Sequence, residues 1–135
     1  MIELLVVIAV IGGLAALFIS YSPASQRRAR DTIRRNDIKQ YQTELEVYAN
    51  KNNGFYPSAS NTLNWVCGSY LSSPTCPDDP TGLYHYQYRG NGSEYVIWAQ
   101  MEQKDNSANT VYFVTCSTGS SGDLSSLPGG LPCPL

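Results

Sequence analysis

The first twenty residues constrain this chain most, because they form one apolar run with a single acid at its edge. Residues 4–19 contain no charged or strongly polar side chain. With its flanks the run reaches about 20 residues, or roughly 30 Å of helix, which is enough for one bilayer crossing. A carboxylate at the edge of hydrocarbon, such as Glu3, costs about 3 kcal/mol or less. The nearest basic residue, Arg27, lies about six helical turns away, so we expect Glu3 to find its partner on another molecule.

A cleaved signal peptide is the alternative to a retained helix. Signal peptides carry a basic region before the apolar core and small residues at the cleavage site. Here Glu3 stands in place of the basic region, and the sequence SYSPAS at residues 20–25 is a poor cleavage site. The sequence therefore favours a retained transmembrane helix over residues 1–23.

Two glycines and a proline weaken the second half of this helix. Gly12 and Gly13 each cost about 1 kcal/mol relative to alanine in a helix. Pro23 lacks a backbone donor and disfavours helix at Ser22. The stretch from Gly12 to Pro23 is thus predicted to be the weakest part of an otherwise helical segment.

The next segment, residues 24–53, predicts an amphipathic helix. Apolar residues recur there at steps of three and four: Ile33, Ile38, Tyr41, Leu45 and Tyr48. The sequence NKNNG at residues 50–54 is a helix stop with Gly54 as its cap. Such a stripe is typical of core packing, so the remainder of the chain must supply the surface it packs on.

Charge is concentrated at the start of this second helix. Residues 24–39 hold six basic and two acidic side chains, a net of +4, whereas the whole chain carries −2. The basic residues are Arg27, Arg28, Arg30, Arg34, Arg35 and Lys39. They suit lipid headgroups, the acidic part of a neighbouring copy, or a solvated helix face. Nucleic acid is a weaker interpretation, because no aromatic residues are interleaved for stacking on bases.

Four cysteines compensate for a small core, since the roughly 80 residues after Gly54 are marginal for independent folding. They indicate an exported, disulfide-permissive domain. Zinc is disfavoured because its ligands usually come in pairs two to four residues apart. Of three possible pairings we favour Cys67–Cys76 and Cys116–Cys133, because each closes a separate Pro/Ser-rich loop. Each closure is worth roughly 3 kcal/mol in the chain-entropy account.

The C-terminal region predicts a small head at residues 54–135. Residues 54–82 are rich in proline, serine and asparagine and predict loops, with Trp65 and Val66 dipping into the core. Alternating patterns then predict three antiparallel strands within residues 83–116, joined first by a hairpin at residues 90–93. One face of this sheet would cover the amphipathic helix. Residues 117–135 show no periodicity and predict a loop closed by the second disulfide.

The chain carries no strong catalytic motif. His85 is the only histidine, and a lone histidine on an alternating strand is usually a half-exposed polar residue. Asp78 and Asp79 are a weak calcium candidate, because hard cations require six to eight oxygens; an Asp-Pro turn is favoured. The tripeptide Asn91-Gly92-Ser93 matches a short and common glycosylation sequon. We therefore predict no enzymatic activity, no metal and no cofactor.

The apolar segment resembles the N-terminal signature of type IV pilins and of the pseudopilins of type II secretion. The matching residues are IELLVVIAVIGGLAA at positions 2–16. The sequence CPDDPTGLYHYQY at positions 76–88 also resembles the passage from loop to strand in major pseudopilins and related pilins. The resemblance implies an α+β pilin fold. In that fold a long N-terminal helix, half transmembrane and half amphipathic, packs on a small three-stranded antiparallel sheet with disulfide-closed loops.

The resemblance also implies how the chain is processed. In that family a prepilin peptidase removes a leader and the new N-terminus is methylated. The glutamate that Glu3 matches lies near the N-terminal amine of an adjacent subunit, where it would fix the register between helices. Met1 stands where the family's third mature residue would be, so either the true start differs or the filament begins differently. In an assembled filament we expect a non-helical stretch between about Gly12 and Pro23.

The function implied is assembly rather than catalysis. The first interpretation is a subunit that waits in the cytoplasmic membrane and is polymerised by pilus assembly machinery into a helical homopolymer on the cell surface. Glu3, Gly12, Gly13 and Pro23 are the expected assembly residues, because close packing of small residues supports helix contacts in an apolar core. A secretion pseudopilin is the second interpretation. A minor pilin or membrane-anchored module that adheres to DNA or to a surface is the third.

Overall fold

The computed structural model describes residues 2–18, 23–71 and 73–135. Two helices open the chain: α1 at Ile2–Phe18 and α2 at Pro23–Lys51. The expected weak stretch from Gly12 to Pro23 is helical as far as Phe18, and its residues 19–22 lie outside the described part. Pro23 is the first residue of α2, a position that tolerates proline because the first N–H groups of a helix have no intrahelical acceptor.

The prediction of one long N-terminal helix with a transmembrane half was wrong. Among residues 2–18, 23–71 and 73–135, no helix is both long and apolar enough to cross a membrane. α1 has 17 residues, about 25 Å of helix against a hydrocarbon thickness of about 30 Å. α2 is longer, with 29 residues, but its sequence is strongly polar.

The prediction of a three-stranded sheet was also wrong, because the sheet has five antiparallel strands in the order β1-β2-β3-β4-β5. The strands are β1 at Ser58–Thr62, β2 at Gln87–Asn91, β3 at Tyr95–Gln100, β4 at Tyr112–Cys116 and β5 at Ser121–Leu124. The two additional strands, β1 and β5, lie at the sheet edges and pair with β2 and β4. Their sequences, SASNT and SGDL, are too polar to show a buried face.

The segment predicted as a loop also contains a helix, α3 at Leu63–Tyr70. It begins directly after β1, where the Thr62 hydroxyl accepts a hydrogen bond from the backbone N–H of Trp65. Such N-terminal caps satisfy a donor that the helix itself leaves unpaired. Val66 is fully buried, as expected, but Trp65 is 47% exposed, because the two side chains leave adjacent positions of a helix in different directions.

The main core lies between one face of α2 and one face of the sheet. Ile38, Tyr41 and Leu45 of α2 are fully buried there against Tyr86, Tyr88 and Ile97 of the sheet region. The tyrosine hydroxyls remain satisfied, since Tyr41 donates to the carbonyl of Pro77 and Tyr88 to that of Pro57, both at 2.6 Å. The core therefore fixes two proline-containing loops as well as the helix.

A second, smaller cluster covers the other face of the sheet. It contains Val96, Trp98, Val114 and Cys116, with Leu131 and Cys133 of the C-terminal segment packed against it. β3 is consequently buried on both faces. The C-terminal segment after β5 thus covers this face of the sheet, and the second disulfide attaches it there.

Two disulfides close the loops of the head. Cys67 is joined to Cys76, and Cys116 to Cys133, across separations of 9 and 17 residues. These are the pairs favoured by the argument from separate loops. α2 ends beside Gly54, which has a positive φ of 83° and donates its N–H to the carbonyl of Ala49 at 2.8 Å, as a helix C-cap glycine does.

Candidate assembly helix and the buried charge cluster

α1 exposes apolar side chains on every side. All residues from 2 to 15 are exposed, and the exposed fractions of the nine large apolar side chains range from 54% to 76%. They are Ile2, Leu4, Leu5, Val6, Val7, Ile8, Val10, Ile11 and Leu14. Successive residues of a helix point about 100° apart, so this set leaves no polar face. Within residues 2–18, 23–71 and 73–135 nothing covers the side chains of residues 2–15.

The predicted assembly residues Glu3, Gly12 and Gly13 all lie on this helix. Glu3 is exposed in the first turn, where its charge is favourable next to the free N–H groups of the helix. A Cβ atom added at Gly12 or Gly13 would meet nothing within 4 Å. The two glycines therefore form a flat, accessible position at mid-helix, where a second helix can approach closely.

α2 differs from α1 in having a fully buried charge. The guanidinium of Arg34 lies 2.6 Å from Asp79 Oδ1 and 2.7 Å from Asp31 Oδ1, and its Nη2 lies 2.8 Å from Glu102 Oε1. A buried guanidinium requires such partners, since an unpaired buried charge costs several kcal/mol. The cluster joins α2 to the loop before β2 and to the segment after β3.

Two members of the cluster also hold backbone groups. Asp31 accepts hydrogen bonds from the backbone N–H groups of Glu102 and Gln103, at 2.8 and 2.9 Å. Arg30 adds a bidentate contact to Glu102, at 2.7 and 2.5 Å. Planar, bidentate pairs of this kind are among the stronger charged hydrogen bonds. The N-terminal half of α2 is thereby fixed on the head.

The pKa shifts follow from this geometry. Burial alone would raise the pKa of Asp79, but hydrogen bonds from Arg34, Thr81 and the backbone of Leu83 lower it to about 2. The hydrogen bond from Arg30 is the main cause that lowers the pKa of Glu102, also to about 2. Burial would lower the pKa of Arg34, but the hydrogen bonds to its three carboxylates raise it above its usual value. These three groups are therefore charged at neutral pH.

Asp78 and Asp79, the weak calcium candidate, bind other groups of the chain. One carboxylate oxygen of Asp79 accepts a hydrogen bond from Arg34, and the other accepts hydrogen bonds from Thr81 and from the backbone N–H groups of Leu83 and Tyr84. Asp78 lies 2.9 Å from Nδ1 of His85. Within the described ranges, no three histidine, cysteine, aspartate or glutamate side chains are grouped so as to hold a metal ion.

Half of the basic residues at the start of α2 form ion pairs within the described chain. Arg30, Arg34 and Arg35 form ion pairs with Glu102, Asp79 and Asp123, among others. In the part of the chain that the structure describes, Arg27, Arg28 and Lys39 form no ion pair. Two adjacent arginines and a distant lysine make a weak electrostatic surface for nucleic acid, which usually requires a continuous basic patch.

The sequence pattern does not predict the burial of Arg34. The apolar stripe predicts that Ile33 is buried, but Ile33 is 47% exposed and Arg34 is fully buried. The Asp31–Arg34 spacing of three residues was the one local signal, since residues three apart are neighbours on a helix surface. Asp79 and Glu102 lie far along the sequence, so their convergence on Arg34 had no local signature.

No protein-family model, curated protein or solved structure matches this chain. The features that bear on function are therefore the exposed α1, the charge cluster and the N-terminal sequence pattern.

Proposed function

We propose that this chain is a structural subunit that polymerises into an extracellular filament of the type IV pilus kind, through α1. The observation that carries the proposal is the exposure of nine large apolar side chains around the whole of α1. Covering such side chains contributes roughly 1 kcal/mol or more each, or on the order of 10 kcal/mol for the set. Identical helices packed around α1 would recover this free energy.

Open growth suits a helix that is apolar all round. A closed dimer would cover one side of α1 and leave the other side in water. A head-to-tail contact that does not close generates a helical polymer, in which each α1 is surrounded by several copies. Gly12 and Gly13 allow close approach at mid-helix, as small residues do between packed helices.

Glu3 supplies the register in this proposal. Its carboxylate is exposed at the start of α1, and α1 contains no basic residue that could pair with it. In an apolar bundle an acid is tolerated where a donor or a cation of a neighbouring copy meets it, so one stagger between helices is favoured over others.

The two disulfides support an extracellular location for the head. Disulfides persist in oxidising compartments and are rare in reducing ones. They are also useful in a filament exposed outside the cell, because they hold the loop before β2 and the C-terminal segment in place. Because half of the basic residues of α2 form ion pairs within the described chain, a nucleic-acid-binding module is the less favoured alternative.

The experiment is to count filaments on cells that express Glu3→Ala. We expect filament yield, seen by negative-stain electron microscopy and in sheared fractions, to fall by about tenfold or more while the cellular level of the chain is unchanged, since a register contact worth 1.4 kcal/mol is already a factor of ten. Glu94→Ala, which removes an acid from the head, is the control and should assemble normally. A normal yield from Glu3→Ala would overturn the proposal.

A further inference from the structure

The chain contains two Asn-Gly dipeptides, Asn53-Gly54 after α2 and Asn91-Gly92 at the end of β2. In such a pair the backbone nitrogen of glycine can attack the side-chain carboxamide of asparagine, because glycine offers no Cβ to hinder it. The two sites share a sequence but differ in hydrogen bonding. The chain therefore carries its own internal comparison.

The carboxamide of Asn91 is held by three hydrogen bonds. Its Oδ1 accepts from the backbone N–H groups of Ser93 and Glu94, both at 3.0 Å. Its Nδ2 donates to Oε1 of Glu94 at 3.3 Å. Two fixed N–H groups aimed at a carbonyl oxygen stabilise the negative charge that develops on that oxygen during nucleophilic addition.

The attacking atom is also free at this site. The N–H of Gly92 has no hydrogen-bond acceptor among the described residues, and Asn91 is exposed to water. Gly92 has a φ of 96°, a conformation that glycine adopts at little cost. The nucleophile, the polarised carbonyl and the solvent thus meet at one turn.

The second Asn-Gly pair is blocked. The N–H of Gly54 donates to the carbonyl of Ala49 at 2.8 Å as part of the helix cap. In the described structure the side chain of Asn53 receives no hydrogen bond from a backbone N–H. Reaction at Asn53 would require breaking the cap first, and no donor would stabilise the oxyanion.

We propose that Asn91-Gly92 is a self-catalysed modification site, where the folded hairpin accelerates loss of ammonia. The backbone nitrogen of Gly92 forms a bond to Cγ of Asn91, and the oxyanion on Oδ1 is held by the N–H groups of Ser93 and Glu94. The Cγ–Nδ2 bond then breaks, and ammonia leaves with the proton from Gly92. Water opens the resulting succinimide to aspartate or isoaspartate, so the net change is gain of water and loss of ammonia.

The product alters the hairpin between β2 and β3. Either product places a new carboxylate beside Glu94, and isoaspartate also inserts a methylene into the backbone. Asn91 is paired with Ser58 of β1, so the edge pairing of the sheet is the structure most directly affected. The modification would therefore loosen β1 without touching α1 or the charge cluster.

The test compares the two sites in one sample. The purified full chain is aged in mildly alkaline buffer, digested, and analysed by mass spectrometry for isoaspartate and for the replacement of NH2 by OH. We expect the Asn91 peptide to react at least about tenfold faster than the Asn53 peptide, because one preorganised oxyanion donor is worth a hundredfold or more in enzymes. In reduced, denatured chain the two rates should converge. Equal rates in the folded chain, or faster reaction of Asn91 after unfolding, would overturn the proposal.

Two variants at Ser93 test whether its backbone N–H accelerates the reaction of Asn91. Ser93→Ala keeps the backbone N–H and should react as the parent does, although it removes the hydroxyl of the sequon. Ser93→Pro removes that N–H and should lower the Asn91 rate towards the Asn53 rate, with folding checked by circular dichroism. If the proline variant does not fold, the Asn91 and Asn53 rates in folded and in denatured parent chain still test the proposal. Loss of the reaction in Ser93→Ala would contradict a role for the backbone donors.

Discussion

α1 and α2 differ in how much of their surface the rest of the chain buries. Residues 2–15 of α1 are exposed and present apolar side chains on all sides, whereas α2 is mostly polar but buries one face completely. α2 gains its free energy inside the chain, from the sheet and from the charge cluster around Arg34. α1 has no such source within the described chain. Burial within the described chain, more than hydrophobicity itself, therefore distinguishes the helix that stabilises the head.

The largest effect on the folding side of this comparison is expected at Arg34. Arg34→Ala leaves Asp31, Asp79 and Glu102 partly buried without their shared cation, so the free energy of unfolding should fall by about 3–5 kcal/mol. Urea denaturation measures it. The control Arg28→Ala, on the exposed face of α2, should change stability by about 0.5 kcal/mol or less. Similar losses from both variants would mean that the cluster does not stabilise the head.

One substitution in each helix tests whether α1 and α2 contribute differently to the unfolding free energy of the head. Leu45→Ala in α2 creates a cavity in the core and should cost about 2–4 kcal/mol in unfolding free energy. Leu5→Ala in α1, measured on unassembled chain, should leave that free energy unchanged, because Leu5 is 62% exposed. A loss at Leu5 as large as at Leu45 would show that α1 packs on the head.

A smaller effect is expected from acid. The pKa of Asp79 is about 2 in the folded chain and near 3.8 without its partners. Because the folded value is the lower one, the stabilisation is complete above about pH 5 and is lost as the pH falls towards 2. The loss attributable to Asp79 should be about 2 kcal/mol, measured by urea denaturation across this range. Asp79→Asn should flatten the curve, and an unchanged slope would exclude this linkage.

Sequence patterns predicted those parts of the fold that repeat locally. The spacing of Ile38, Tyr41 and Leu45 indicated the buried face of α2, and the alternating pattern within residues 83–116 indicated the central strands of the sheet. β1 and β5 were not predicted, because an edge strand can form without apolar alternation. Backbone pairing with β2 and with β4 places them in the sheet. The apolar composition of α1 suggested a bilayer crossing, yet composition alone did not show that the helix is 17 residues long.

The charge cluster was not predictable in the same way. In the sequence around Arg34, only the three-residue spacing from Asp31 distinguishes it from Arg35, which is partly exposed and pairs with Asp123 at the surface. Burial of Arg34 depends on where the loop before β2 and the segment after β3 arrive. Such convergence is set by the tertiary fold, so it appears only when the whole head is assembled.

The most direct measurement is filament assembly by a pair of substitutions that make the same chemical change in different places. Ile8→Asp introduces a charge on α1, and Leu83→Asp introduces one at an exposed apolar residue of the head, with exposed fractions of 54% and 74% in the parent chain. Both variants should keep the unfolding free energy of the head. We expect Ile8→Asp to abolish filaments in negative-stain images and Leu83→Asp to form them normally. Normal filaments from Ile8→Asp would contradict the proposal that α1 is the assembly element.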